Sequence, residues 1–239
     1  MRTLGPQPRW SRLSPASFTI DVLRDRCGEY FDIVLGEEAP DMEVLQVVPE
    51  DRHLLLYSRD GQRFLCGHDE RHWFVAAVGD RVSTVRDAKR SLVPVGLRDI
   101  VEHVPPSVTN NRRNPVFKRQ GEWFFVPVAA PMAPGLCIFR NEPLQRGLRS
   151  KPHICEELCR LGGRQVYVVN LRVLEEKEYL AAKRANPKLY RGVRTMRADA
   201  EVYVRGYVRH PDHATIHLDG WHRVHINGEV SNSSVAFLD

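Results

Sequence analysis

The chain has 239 residues, of which 42% are hydrophobic and 27% charged. This length and composition exclude an intrinsically disordered chain and fit one large or two small globular domains. No run of 18 apolar residues occurs, which excludes a membrane-spanning helix. Because the chain also has no apolar secretory signal and an odd number of cysteines, we expect a soluble cytoplasmic protein with reduced thiols.

The net charge of +5 is unevenly distributed along the chain. Residues 21–51 carry ten acidic residues against two basic ones, whereas residues 140–210 carry sixteen basic residues against eight acidic ones. The basic segment suits a polyanion such as nucleic acid, and the acidic segment suits a basic protein partner. Both segments also fit solvated faces, or two segments that face each other within one fold.

Four features organise the N-terminal half. Proline and glycine in residues 1–13 predict a mobile tail, with a targeting segment as the alternative. Ser14-Pro15 is typical of a helix start, and apolar residues at helical spacing predict a helix over 20–34. Short apolar runs separated by turn signals predict a β-meander over 53–78. Ser83 or Thr84 then caps a further helix.

The C-terminal half follows a segment rich in proline and asparagine. Residues 103–120 predict a loop between an N-terminal part, 14–102, and a C-terminal part, 121–239, or a loop inside one continuous domain. The elements predicted beyond it are a strand at 122–128, a helix at 150–162, a strand at 165–170, a helix at 175–184 and a β-meander at 202–227. The predicted fold class is therefore α+β, with antiparallel β-meanders and three or four helices.

The second meander carries the most informative pattern. Leu218-Asp219-Gly220-Trp221 predicts a two-residue hairpin turn, which would place His217 opposite His222. Strand alternation then buries one apolar face and leaves a polar face without acidic residues. That face comprises Arg205, Tyr207, Arg209, His213, Thr215, His217 and His222.

This composition favours a phosphate-bearing ligand, with nucleic acid as the first candidate. Arg205 and Arg209 offer donors to phosphate oxygens, and Tyr207 offers a ring for base stacking. We therefore assign these three residues to ligand binding. The alternative is an ordinary solvated face, because a sheet with one buried face normally has a polar opposite face.

The tetrad His213-Ala214-Thr215-Ile216 resembles the histidine–threonine motif of the 2H phosphoesterase family. The resemblance implies that His213 acts as general acid or base and that Thr215 holds the phosphate. His217 or His222 would supply a second acid or base. The family uses two such motifs, and this sequence contains one, so whether the protein is an enzyme stays open.

A metal-dependent hydrolase is the alternative function. His213, His217 and His222 on one strand face would offer imidazoles to a divalent metal ion. His68 and Glu70, from the loop 68–72 (HDERH), would add ligands to that site or, with His72, form a second one. An exposed charged hairpin turn is the other interpretation of this loop.

Two further observations concern a possible ligand set and a resemblance of longer segments. His153, Cys155 and Cys159 form a possible ligand set on a predicted helix, although thiols at this spacing are more typical of a buried helical face. Longer segments resemble bacterial proteins of unknown function, and this resemblance implies no activity. Those segments are FLCGHDERHWFVAAV, KRQGEWFFVP and VRHPDHATIHLDGWHRV.

Overall fold

A computed structural model describes most of the chain. The described residues are 17–130, 137–146, 150–169, 172–188, 190 and 193–229. The predicted tail, 1–13, and the helix start at Ser14-Pro15 lie outside them. Strands make up 51% of the structure and helices 16%, so the α+β class is confirmed with a stronger β character than predicted. No helix within the described ranges is long and apolar enough to cross a membrane.

The chain forms two compact units. Unit 1 comprises Met1–Pro115 with Ile226–Asp239, and unit 2 comprises Val116–His225. The strands described in unit 1 are β1 (Phe18–Arg24), β2 (Glu29–Leu35), β3 (Met42–Val48), β4 (His53–Ser58), β5 (Arg63–Asp69) and β6 (His72–Val78). β1 pairs with β2 in one antiparallel sheet, and the other sheet has the order β3-β4-β5-β6. The predicted meander over 53–78 is confirmed as β4 to β6.

The helix predicted over 20–34 is wrong, because this segment forms the β1–β2 hairpin. Both strands are rich in β-branched and aromatic residues, which favour a pleated surface. The carboxylate of Asp25 accepts hydrogen bonds from the backbone N–H groups of Cys27 and Gly28, at 2.7 and 3.2 Å, and this turn interrupts any helix. Gly28 adopts a φ of +130° there.

The described helices are short, and most belong to unit 1. They are a 3₁₀ turn at Pro49–Asp51, α1 (Val85–Ser91), α2 (Val95–Glu102), α3 (Pro106–Thr109) and α4 (Glu176–Ala185). The predicted cap of α1 is confirmed, since the Thr84 hydroxyl accepts from the N–H of Asp87 at 3.1 Å. The segment 103–120 is not wholly a loop, because it contains α3 and a three-residue strand.

Unit 2 contains a six-stranded sheet of order β7-β8-β15-β14-β10-β9 and a three-stranded sheet of order β12-β11-β13. The strands are β7 (Lys118–Gln120), β8 (Trp123–Pro127), β9 (Ile138–Leu144), β10 (His153–Leu161), β11 (Arg164–Val169), β12 (Arg172–Glu175), β13 (Arg194–Ala198), β14 (Glu201–Arg209) and β15 (Ile216–Ile226). The predicted strands at 122–128 and 165–170 and the helix at 175–184 are confirmed as β8, β11 and α4.

The helix predicted over 150–162 is wrong, because this segment forms β10, an interior strand of the six-stranded sheet. It pairs with β9 on one side and β14 on the other, and these long-range pairings override the local helical spacing. Cys155 and Cys159 are both buried, as expected of core residues, and Leu158 packs with Val204 and Val208 in the core of the sheet. The described cysteines are all free thiols.

Candidate functional site

The turn predicted at 218–221 is wrong, because β15 runs continuously through it. The Cα register places residues 219–221 of β15 opposite the single residue Arg205 of β14. Gly220 adopts a φ of +89° within this irregularity. The Asp-Gly pair therefore forms a bulge instead of a turn, and Ile216, Leu218 and His222 of β15 are buried on either side of it.

As a result, His217 and His222 do not share a face. His217 pairs with Tyr207 on the exposed side, where their rings lie 4.7 Å apart. His222 pairs with Val204, is buried, and its Nδ1 lies 3.0 Å from the carbonyl oxygen of Gly220. Residues five apart on one strand face opposite ways, so the predicted pairing required the turn that does not form.

The prediction of a face without acidic residues is also wrong. A bulge in β10 lies between Cys155 and Glu157. The carboxylate of Glu157 pairs with Arg205, and Glu156 accepts a hydrogen bond from the backbone N–H of Tyr207 at 2.8 Å. These acids were assigned to a helix in the sequence, and their strand placement brings them to the basic side chains.

The other residues predicted for this face either make a hydrogen bond or lie outside the strands. Arg209 donates to the amide oxygen of Asn141 at 2.7 Å. Thr215 is exposed and lies, with His213, in the connection between β14 and β15, not on a strand. The strand geometry implied by the 2H phosphoesterase resemblance is therefore not formed by these two residues.

His213 instead belongs to a group of three histidines in unit 2, here called the histidine cluster: His153, His210 and His213. The rings of His153 and His210 stack 4.2 Å apart, and that of His213 lies 5.6 and 4.7 Å from them. One ring nitrogen from each histidine lies within 4.8 Å of the other two. Among the described residues, no other group of three metal-ligating side chains lies this close.

Local chain geometry brings the cluster together. His153 is the first residue of β10, and His210 and His213 lie in the connection after β14. Pro211 restricts that connection, and the N–H of Asp212 lies 3.2 Å from Nδ1 of His210. Asp212 also pairs with Lys151 at 2.6 Å, which ties the connection to the chain just before β10.

The cluster is mostly buried. His153 is 1% exposed and His210 is 8% exposed, whereas His213 is half-buried. Neither ring nitrogen of His153 has a hydrogen-bond partner among the described residues, although buried polar atoms nearly always have one. Burial, reinforced by His210 and His213, lowers the pKa of His153 to about 2. His153 is therefore neutral, which is the form of imidazole that binds a metal ion.

The β7–β8 turn lies against the cluster at Gly121, which adopts a φ of +56°. A Cβ atom at this position would stand 2.8 Å from Nε2 of His213 and 3.4 Å from Nε2 of His153. The buried amide of Gln120 donates to the carbonyl oxygen of Ala214 at 2.6 Å and so anchors the turn beside His213. Only a residue without a side chain fits this space beside the two imidazoles.

The loop 68–72 belongs to unit 1, where ion pairs hold it. The guanidinium of Arg112 pairs with the carboxylates of both Asp69 and Glu70. Glu70 adopts a φ of +47° at the tip of the β5–β6 hairpin. This carboxylate is thus engaged in a local ion pair within its own unit.

The two histidines of that loop have separate surroundings. Nδ1 of His72 lies 2.6 Å from the carboxylate of Glu29, which also accepts from the backbone N–H of Trp73 at 3.0 Å. His68 packs edge-to-face on the ring of Trp73. The residues of the predicted second site therefore belong to a hairpin that is held by local ion pairs and that contacts β2 through Glu29.

No known protein family, curated protein or solved structure shows significant similarity to this chain. The candidate site is therefore defined by its own geometry. Of the three histidines, the sequence pattern placed His213 on the predicted polar face and His153 on a predicted helix. The spacing of His210 and His213, three residues apart across Pro-Asp, was the available signal for part of this site.

Proposed function

We propose that this protein binds a divalent transition-metal ion, with Zn²⁺ as the first candidate, through His153, His210 and His213. The observation that carries the proposal is the convergence of three imidazole nitrogens within 4.8 Å at a buried position. Imidazole is a preferred ligand of zinc, copper and nickel and a poor one for magnesium and calcium. Three imidazole ligands therefore favour a transition-metal ion over magnesium or calcium.

Binding requires a small rearrangement of the rings. Tetrahedral zinc sites have Zn–N distances of about 2.0–2.1 Å, which separates the ligand nitrogens by about 3.3 Å. The three nitrogens, now within 4.8 Å of one another, must draw together. His213 is half-buried and His210 is in a connection, so rotation of these two side chains can supply the movement while His153 stays fixed on β10.

Metal content and metal affinity test the proposal. The full chain is stripped with a chelator and titrated with Zn²⁺ in competition with a chromophoric chelator; we expect one high-affinity ion per chain. His213→Gln is expected to weaken binding by at least about tenfold, because it removes one of three ligands. His217→Gln is the matched control, because His217 is exposed on β15 and outside the cluster. Absence of binding, or equal affinity in both variants, would refute the proposal.

Nucleic-acid binding by the exposed face of β14 stays a prediction. Arg209 supports it, since this side chain is exposed and bonded to a neutral amide. Glu157 weakens it by pairing with Arg205. Binding that falls steeply with salt, and that is lost in the double variant Arg205→Ala, Arg209→Ala, would support this second function.

A further inference from the structure

The histidine cluster supplies three ligands, whereas zinc takes four in a tetrahedral site. Within the part of the chain that the structure describes, no fourth histidine, cysteine or carboxylate joins the group. The nearest carboxylate along the chain, Asp212, is paired with Lys151. Closed structural zinc sites use four protein ligands, and sites that exchange ligands use three. Three protein ligands therefore favour a site at which the fourth ligand exchanges.

Gly121 of the β7–β8 turn presents no side chain to the cluster. The position its Cβ would take is 2.8 Å from Nε2 of His213 and 3.4 Å from Nε2 of His153. These are the nitrogens nearest to that position. A fourth ligand that approaches an ion held by them meets no side chain at this residue.

A buried hydrogen-bond donor, the indole N–H of Trp123, lies beside the cluster. The indole of Trp123, two residues beyond Gly121, packs edge-to-face against the ring of His153, with centroids 6.4 Å apart. Trp123 is 8% exposed, and its Nε1–H has no acceptor among the described residues. An unpaired buried N–H is costly, and it is suited to an acceptor that arrives with a ligand.

Resting on the proposed metal site, we infer that the fourth coordination position is open and takes an exchangeable small anion, such as hydroxide or a carboxylate. The ion and the buried indole N–H both favour a negatively charged ligand there. His213 is half-buried, whereas His153 and His210 are buried, so His213 is the member of the cluster most exposed to solvent. A metal-bound water at an open coordination position ionises near neutral pH, which is the chemistry of hydrolytic metal sites.

Cobalt substitution tests the inference separately from metal binding. The metal-free full chain is loaded with Co²⁺, whose visible absorption bands report coordination, and is then titrated with sodium azide. We expect bands to appear on loading and to change in position or intensity with saturable azide dependence. Metal content is measured after each titration, to show that azide has not removed the ion.

The outcomes separate the two proposals. Absorption bands that appear on loading but do not change with azide would refute the open coordination position without refuting metal binding. Failure to bind Co²⁺ or Zn²⁺ would overturn both. Trp123→Phe is expected to keep the Co²⁺ bands and raise the azide dissociation constant several-fold. His217→Gln, outside the cluster, is expected to leave both unchanged.

Discussion

A methyl group on Gly121 would stand 2.8 Å from Nε2 of His213, because the β7–β8 turn lies directly against that ring. Gly121→Ala is therefore expected to displace the imidazole and to weaken Zn²⁺ binding by at least about tenfold, as loss of ligand positioning does in other metal sites. Competition with a chromophoric chelator measures the change.

Gly162→Ala is the control for backbone strain. Gly162 has a φ of +65°, close to the +56° of Gly121, and a Cβ there would meet no heavy atom within 4 Å. Both variants are expected to lose about 1–2 kcal/mol of stability to backbone strain, because an L-residue is disfavoured in this region. Gly121→Ala is expected to lose more, because its methyl group also meets His213. Only Gly121→Ala is expected to lose metal affinity, and equal affinity in the two variants would contradict the assignment.

Metal loading is expected to stabilise the folded protein. An ion that binds the native state alone adds a free energy of unfolding of about 2.7 kcal/mol at a free concentration of one hundred times its dissociation constant. Urea unfolding with Zn²⁺ and with a chelator measures this difference. In His213→Gln the zinc effect is expected to be smaller by about 1.4 kcal/mol or more, because its affinity falls at least about tenfold. A zinc effect as large as that in the unmutated chain would place the ion elsewhere.

Local sequence signals predicted those elements whose stability is local. The β4–β6 meander is joined by tight turns, and α1 is capped by Thr84, so their patterns are complete within a short window. β10 was predicted as a helix because β14, one of the two strands that pair with it, lies far from it in sequence, so no local pattern indicated that pairing. The Asp219-Gly220 pair fits either a turn or a bulge, and pairing along the whole of β15 decides between them.

The histidine cluster likewise depends partly on local sequence and partly on long-range strand pairing. His210 and His213 are three residues apart, so their proximity was visible in the sequence. His153 joins them only because β10 pairs with β14 and begins beside the connection that follows β14. The acids that neutralise the basic face, Glu156 and Glu157, arrive through the same pairing. Strand order within unit 2, which no local pattern specified, therefore determines both results.

Gly206 on β14 is expected to tolerate alanine poorly. Its φ is +80°, and a Cβ would stand within hard contact of the Glu156 carboxylate, which accepts the N–H of Tyr207. Gly206→Ala should lower the free energy of unfolding by about 2 kcal/mol, of which about 1–2 kcal/mol is backbone strain. Urea unfolding measures it.

The double variant Gly206→Ala, Glu156→Ala separates the steric effect from the strain. Removing the carboxylate clears the space, so the penalty of the alanine should be smaller in this background than alone. Gly220→Ala, with a φ of +89° and no heavy atom within 4 Å of a Cβ, reports strain without a clash. An equal penalty at Gly206 in both backgrounds would show that Glu156 does not limit the substitution.

Buried His222 is expected to make stability fall in mild acid. Its burial lowers its pKa in the folded protein below the ordinary value of 6.5, which it regains on unfolding. Below about pH 6.5 the unfolded chain therefore binds a proton that the folded chain does not, so the free energy of unfolding decreases as pH falls and is constant above about pH 7. One such group contributes a slope of at most about 1.4 kcal/mol per pH unit.

The contribution of His222 is isolated by comparing the unmutated chain with His222→Gln, in chelator, by urea unfolding between about pH 5 and 7.5. Burial also lowers the pKa of His153, and this contribution is equal in both proteins. Glutamine keeps a donor for the Gly220 carbonyl but does not take up a proton. The variant should therefore lose less stability on acidification, and parallel pH profiles would show that His222 keeps its ordinary pKa in the folded state.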